Sequence, residues 1–371
     1  MFDRRLVQHF DWLMLVFVLC ICALGLLNLY SAGYNRTPAA ANPLYLKQLY
    51  WLGVGLLLMF LMVLYDYRHL EKAALMLFVL SLGLLVGVMV FGKMVSGSRR
   101  WLVLGPITFQ PSEVTKIAMV LLLARYFHRR HRPDPLRFKD LLAPLGLVLA
   151  PVAIIAKQPD LGSAMLVFLT ATSIMLFVGV HWRTLATSAA AMVVAAPLAW
   201  HFLRDYQKQR LLTFLDPEKD PLGAGYHIIQ SKIAVGSGQF WGKGFLHGTQ
   251  SQLYFLPEQH TDFVFSVFAE EWGFVGSALL VLLYMGVTLF GLNVARTSKD
   301  RFGQLLAVGV TALIFWQIFI NLCMVTGLLP VVGIPLPLFS YGGSSFIVTW
   351  LAVGILLNIR MRRFLPGDEI F

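Results

Sequence analysis

The stretch Leu256-Pro-Glu-Gln-His-Thr-Asp-Phe-Val-Phe265 decides the fold, because its polar half stops at Asp262 and an apolar run begins at Phe263 and continues to about Val294. At about 1.5 Å rise per residue such a helix is about 48 Å long, more than the roughly 30 Å hydrocarbon layer of a bilayer. The run therefore reads as a membrane span whose outer turns stand among the headgroups, with Asp262 at a water-accessible mouth. An ionisable side chain at a membrane boundary costs free energy, so its default reading is a functional site. Asp262, Ser266 and Glu270 fall at i, i+4 and i+8, which predicts one polar stripe facing a cavity. Glu258, His260 and Thr261 crowd the same corner. The structural alternative is that Thr261 or Asp262 simply caps the helix.

The rest of the chain agrees with a membrane solvent. Of 371 residues, 58% are hydrophobic and only 13% are charged, where a soluble chain carries about a quarter charged residues. The fold expected is an all-α polytopic membrane protein. A net charge of +11 reads as cytoplasmic loops and contact with anionic membrane lipids, with no nucleic acid as partner. Cys20, Cys22 and Cys323 lie in apolar runs, so neither a disulfide nor a metal site is expected from them. No zinc motif, Walker pattern or nucleophile elbow occurs.

By a ruler of about 20 apolar residues per span, about ten spans begin near Trp12, Leu46, Ala73, Ser112, Leu141, Gly162, Thr184, Phe263, Gly303 and Gly343. The fifth is interrupted by Pro144 and Pro151, which neighbouring helices can tolerate. The first follows Arg4 and Arg5 and precedes the small residues of Pro38 to Ala41, but it is longer than the core of a cleaved signal, so it reads as an uncleaved span. Arg4, Arg5, Arg68, Lys72, Arg183, Arg296, Lys299, Arg301, Arg360, Arg362 and Arg363 fall on one side, as does the cluster Arg125, Arg129, Arg130, Arg132, Arg137 and Lys139. That side is the cytoplasm, and both termini are expected there. One domain, 1–371, is expected, with a large extracytoplasmic loop of about 204–261 between helices 7 and 8. Amphipathic helices lying on the bilayer suit that loop. Two other outer segments, 92–111 and 328–342, are too apolar for solvated loops and read as re-entrant or interfacial, buried against helices.

Other charges mark the outer face. In Gln110-Pro-Ser-Glu-Val-Thr-Lys116, Pro111 suits the first helical turn, Glu113 the helix N-terminus, and Lys116 can pair with it. That pair is either a structural ion pair or the lining of a cavity in which Lys116 faces an anion, and both can hold. Arg99, Arg100 and Arg210 offer guanidinium groups to phosphate, or else anchor headgroups. Asp160, in Lys157-Gln-Pro-Asp160, is a further cavity candidate. The glycines between Gly223 and Gly248 suit tight turns and close backbone packing. Ser340-Tyr-Gly-Gly-Ser-Ser345 opens the last span with small residues that let helices approach closely.

Over almost its whole length the chain resembles the SEDS family (shape, elongation, division, sporulation). The matching phrases are Arg100-Trp-Leu, Leu104-Gly-Pro, Gln110 to Lys116, Gln158-Pro-Asp-Leu-Gly-Ser163, Leu256 to Phe265, Glu270-Glu271 before Gly273, and Pro337 to Ser345. Gln259-His-Thr-Asp262 and Gln158-Pro-Asp-Leu-Gly162 place it nearest the elongation branch. The resemblance implies a peptidoglycan glycosyltransferase of the bacterial cytoplasmic (inner) membrane. It would polymerise lipid II into β-1,4 glycan strands at the outer face during cell elongation. The implied partners are lipid II and the lipid-linked glycan chain, a class B penicillin-binding transpeptidase and other elongation-complex proteins. The residue matching Asp262 is the family's catalytic one, and those matching Glu113 and Lys116 line its cavity. No cofactor is required by the sequence, although a divalent cation, Mg or Mn, could accompany the pyrophosphate. Two rival classes are a lipid II flippase and a non-catalytic scaffold for a transpeptidase.

Overall fold

Among the described residues, ten helices of 18 residues or more form where the apolar runs predict them. The computed structural model describes residues 9–34, 44–95, 98–105, 107–130, 134–219, 223–253, 255–256 and 258–363. Arg4, Arg5, Pro38 to Ala41, Pro106, Arg132 and Pro257 lie outside the described residues. The first seven long helices are α1 (Trp12–Ala32), α2 (Leu44–Leu64), α3 (Arg68–Phe91), α4 (Pro111–Arg129), α5 (Phe138–Lys157), α6 (Leu161–Val178) and α7 (Trp182–Phe202). Three short helices follow: α8 (Asp205–Leu215), α9 (Ala224–Ser237) and α10 (Thr249–Gln252). The last three long helices are α11 (Val264–Thr297), α12 (Arg301–Val325) and α13 (Gly343–Arg362). Eight of the ten are apolar and long enough to cross a membrane by length and composition alone. Of the other two, α4 carries four charged residues, Glu113, Lys116, Arg125 and Arg129, and α7 occupies the expected seventh position. The protein is an all-α, multi-pass membrane fold.

Helix starts are fixed by short acidic side chains. Asp11 accepts from Met14 N at 3.2 Å, Asp160 from Ser163 N at 3.1 Å and Asp300 from Gly303 N at 2.7 Å. Each satisfies an N–H that the first turn would otherwise leave without a partner. Pro144 and Pro151 lie inside a continuous α5.

The central helices are α12 and α13, most of whose surfaces are buried, while α2 and α3 face outward. Close approach depends on small residues. Trp350 of α13 packs flat against Gly55 of α2, where a Cβ would lie 2.4 Å from its ring. Several of the described basic residues expected in the cytoplasm pair with acidic ones at one pole. There Arg360 pairs with Asp11 at 3.5 Å, Arg129 with Glu71 at 2.9 Å and Arg362 with Asp66 at 3.7 Å.

The opposite pole holds the outer segments. Residues 92–111, expected to be re-entrant or interfacial and buried against helices, are only partly buried: Lys93, Met94, Arg99 and Val103 are exposed. They form a three-stranded antiparallel sheet of β1 (Lys93–Val95), β2 (Ser98–Leu104) and β3 (Ile107–Phe109). Its register pairs Lys93 with Trp101 and Leu102 with Phe109. Successive residues of β2 point to opposite faces, which leaves Arg99 exposed and Arg100 half-buried. Val103 is exposed.

Residues 328–342, expected to be re-entrant or interfacial and buried against helices, have non-helical backbone and bury Ile334, Leu336, Leu338 and Phe339. Their carbonyls find side-chain donors, as backbone without water must. Asn321 Nδ2 donates to Ile334 O at 2.7 Å, Tyr284 OH to Pro337 O at 2.6 Å and Gln48 Nε2 to Ser340 O at 3.3 Å.

Candidate active site

Four helices, α4, α6, α11 and α13, start at the outer pole and run toward the basic one. Their N-termini converge on a cavity of about 230 Å³. Helix N-termini carry positive partial charge, so the site favours anions before any side chain is counted. Arg100, Glu113, Lys116, Asp160, Glu258, Thr261 and Asp262 all line it.

Asp262 precedes α11, whose N-cap is Phe263 with no side-chain cap bond. The capping alternative is therefore not realised, and the carboxylate faces the cavity. Its backbone is held firmly. Asn321 Nδ2 donates to Asp262 O at 2.9 Å, Ser340 Oγ to Thr261 O at 2.6 Å and Asn28 Nδ2 to Val264 O at 2.9 Å. Gly333, with φ +74°, passes close by; its Cβ would lie 3.4 Å from Asp262 Oδ2. Burial is the main force lifting the carboxyl to a pKa of about 6, and the charge of Glu258 adds to it. Arg210 and a hydrogen bond from Thr261 pull the other way, and Asp160 raises it further.

Opposite Asp262, Lys116 Nζ binds Glu113 Oε1 at 2.8 Å, with the side chains 1% and 4% exposed. Charges this deep persist only as a pair. Glu113 Oε2 has no hydrogen-bond partner among the described residues. Arg100 reaches the cavity from β2 while Arg99, on the alternate face, is exposed. The guanidinium is oriented by donation to Gln158 O at 3.0 Å and to Pro159 O. Asp160 caps α6 and accepts from Gln110 Nε2 at 3.2 Å.

Four expected residues do not line the cavity. The stripe of Asp262, Ser266 and Glu270 does not form, because Asp262 lies before the helix and the other two turn away from the cavity. Ser266 Oγ meets Ser231 Oγ at 2.8 Å. Glu270 is bound by Lys243 Nζ at 2.7 Å. His260 is buried beneath the turn, and its carbonyl accepts from Tyr341 N at 2.9 Å. Arg210 is not part of the wall, although its charge acts on Asp262. Conversely, Trp101, Gln110, Ser163, Tyr341, Ser344 and Ser345 line the cavity. The Ser340 to Ser345 phrase reads in sequence as a packing motif, and its hydroxyls point to a second use only once the four helix starts are seen to meet. Among the described residues no group of three or more His, Cys, Asp or Glu is placed to hold a metal ion.

The fold and cavity define a class: a multi-pass membrane protein with a charged pocket opening at the outer pole. Residues 11–364 match the model of the cell cycle protein family of FtsW, RodA and SpoVE, and the chain belongs to that family. It is 43% identical to the peptidoglycan glycosyltransferase MrdB of Escherichia coli K12, over 98% of this chain and 96% of that one. Among solved structures it is similar to a chain of a peptidoglycan synthase complex in which polymerization and crosslinking are coordinated. That match has a TM-score of 0.83 and 36% identity, over 96% of this chain and 99% of the other. The rod shape determining protein RodA of Thermus thermophilus matches with a TM-score of 0.71 and 32% identity, over 96% of this chain and 98% of the other.

Proposed function

We propose that this chain is a peptidoglycan glycosyltransferase that extends glycan strands from lipid II at the outer face of the cytoplasmic membrane during cell elongation, with Asp262 as general base. The observation that carries this reading is the Asp262 carboxylate before α11, pushed up to a pKa of about 6, lining one cavity with Arg100 and Lys116. A base is most useful when its pKa lies near the working pH.

The acceptor's N-acetylglucosamine 4-hydroxyl gives its proton to Asp262 as its oxygen attacks C1 of the N-acetylmuramic acid at the reducing end of the growing strand. The new C1–O bond forms as the bond from C1 to the pyrophosphate oxygen breaks. Undecaprenyl pyrophosphate leaves with that electron pair. In-line attack converts an α-linked donor into a β-1,4 bond. A pyrophosphate leaves without a strong general acid, so one carboxylate suffices where glycoside hydrolysis uses two. A positioned base contributes about 10²- to 10⁴-fold. Arg100, Lys116 and the converging helix N-termini stabilise charge on the departing pyrophosphate, with Arg210 acting from outside the wall. A divalent cation accompanying the pyrophosphate would be held chiefly by phosphate oxygens and water, and no step here depends on it.

A transpeptidase of the class B penicillin-binding type is the partner this reading implies, alongside other elongation-complex proteins. The similar chain from a synthase complex supports that pairing. Lipid II supplied to the purified protein in detergent, where no sidedness exists, distinguishes enzyme from flippase. Glycan polymer is expected; lipid II recovered unchanged, with or without a transpeptidase, would favour transport or scaffolding.

A further inference from the structure

The apolar run after Asp262 is two helices, not one. At Gly273 the backbone turns to φ 63° and ψ −158°. In an unbroken helix the carbonyls of Glu270 and Glu271 would accept from the N–H groups of Phe274 and Val275. Instead they accept from Lys243 N and Gly244 N, each at 3.0 Å. The stranded N–H groups of Phe274 and Val275 donate to Gln239 O at 2.8 Å and Phe240 O at 3.2 Å. Residues 239–244 of the outer segment thus replace the missing turn bond for bond.

Glycines make the splice sterically available. A Cβ on Gly238 would lie 2.0 Å from Ala269 O, and one on Gly242 would lie 2.1 Å from Glu271 O. A Cβ on Gly273, the break itself, would lie 2.2 Å from Gly242 N. Side chains then lock the segment in place. Glu270, fully buried, accepts from Lys243 Nζ at 2.7 Å, Thr249 Oγ1 at 3.0 Å and Gln250 N at 3.0 Å. Outward of the break remains only the short helix 264–272, with Asp262 at its start. That helix is about 13 Å long, so a tilt of about 10° at the break moves its far end by about 2 Å. A misplacement of about 1 Å can cost about 100-fold in rate.

We propose that Lys243 and Glu270 are positioning residues for the transferase reaction: their ion pair clamps the outer segment into the break in α11 and so sets where Asp262 stands over the cavity. The inference rests on the reading of Asp262 as base. Neither residue lines the cavity, so both act through the short helix and not on the substrate.

The test is initial-rate glycan synthesis by the purified full-length protein over a range of lipid II concentrations, normalised to folded protein. Lys243→Met and Glu270→Gln are expected to lower kcat about 10- to 100-fold with KM within about twofold. Lys243→Arg, which keeps the charge, should recover most of the loss. Lys219→Met, which removes an exposed ion pair to Asp216 in the same outer segment, should leave the rate unchanged. Lys243 is 28% exposed on its side chain, so Lys243→Met keeps the test open if Glu270→Gln does not fold. Unchanged kcat in Lys243→Met would overturn the inference, as would a rise in KM alone or a loss that Lys243→Arg does not restore. Asp262→Asn is run alongside. If it stays active, the base reading fails and this inference with it. If it is inactive while Lys243→Met is fully active, the positioning inference alone fails.

Discussion

Replacing Lys116 by methionine keeps the length of the side chain and removes its charge. The ammonium lies 2.8 Å from Glu113 Oε1, and both side chains are almost wholly buried. The other carboxylate oxygen, Oε2, has no hydrogen-bond partner among the described residues. Lys116 is therefore the main support of an almost wholly buried carboxylate. Breaking a buried pair from one side costs about 3–5 kcal/mol, because the remaining charge is left without compensation. Replacing both partners by shapes of similar volume is close to neutral. Lys116→Met should accordingly destabilise the protein by at least about 3 kcal/mol, roughly 150-fold in the unfolding constant. The double variant Glu113→Gln, Lys116→Met should recover most of that loss, and Lys116→Arg should lose little. Unfolding of the wild type, Lys116→Met, Glu113→Gln and the double variant in one detergent gives the coupling energy by a double-mutant cycle. A coupling near zero, with the single losses simply adding, would refute the argument that each charge is tolerated only through the other.

The pH dependence follows from Asp262. A carboxyl with a pKa near 6 is protonated, and useless as a base, at lower pH. kcat/KM should therefore rise with pH through about 6 and level off above it. Glu258→Gln removes a charge that raises this pKa, so the limb should move to more acid pH; an unmoved or more alkaline limb would contradict the assignment. Gly162 faces the re-entrant wall of the cavity, where a Cβ would lie 2.6 Å from Val332 O and 2.9 Å from Ile334 Cγ1. Gly162→Ala should cost about 1–3 kcal/mol in melting experiments by overpacking, and unchanged stability would show that the wall can yield.

Much of the fold was legible because the bilayer forces long apolar runs, and the helix starts follow from them. Asp11, Asp160 and Asp300 stand where caps are required. The pairing of Glu113 with Lys116 was legible too, since a spacing of three on a helix leaves them few other partners. The break at Gly273 was not, because a continuous apolar run carries no mark of a turn completed by backbone from residues 239–244. The same blindness misplaced Ser266 and Glu270: the i, i+4 rule applies only within a helix, and Asp262 lies outside it. The small sheet at 93–109 escaped for a different reason. Short strands at an interface have the same composition as a re-entrant loop, and only their pairing distinguishes them.

A proton-accepting aspartate is what separates this account from a transporter or a scaffold built on the same helices. The most direct measurement compares polymer made from lipid II by the wild-type protein and by Asp262→Asn, each purified, folded and assayed with and without a transpeptidase partner. The amide keeps the shape and cannot take the proton, so strands are expected from the first protein and none from the second. Strands of ordinary yield from Asp262→Asn would contradict the account.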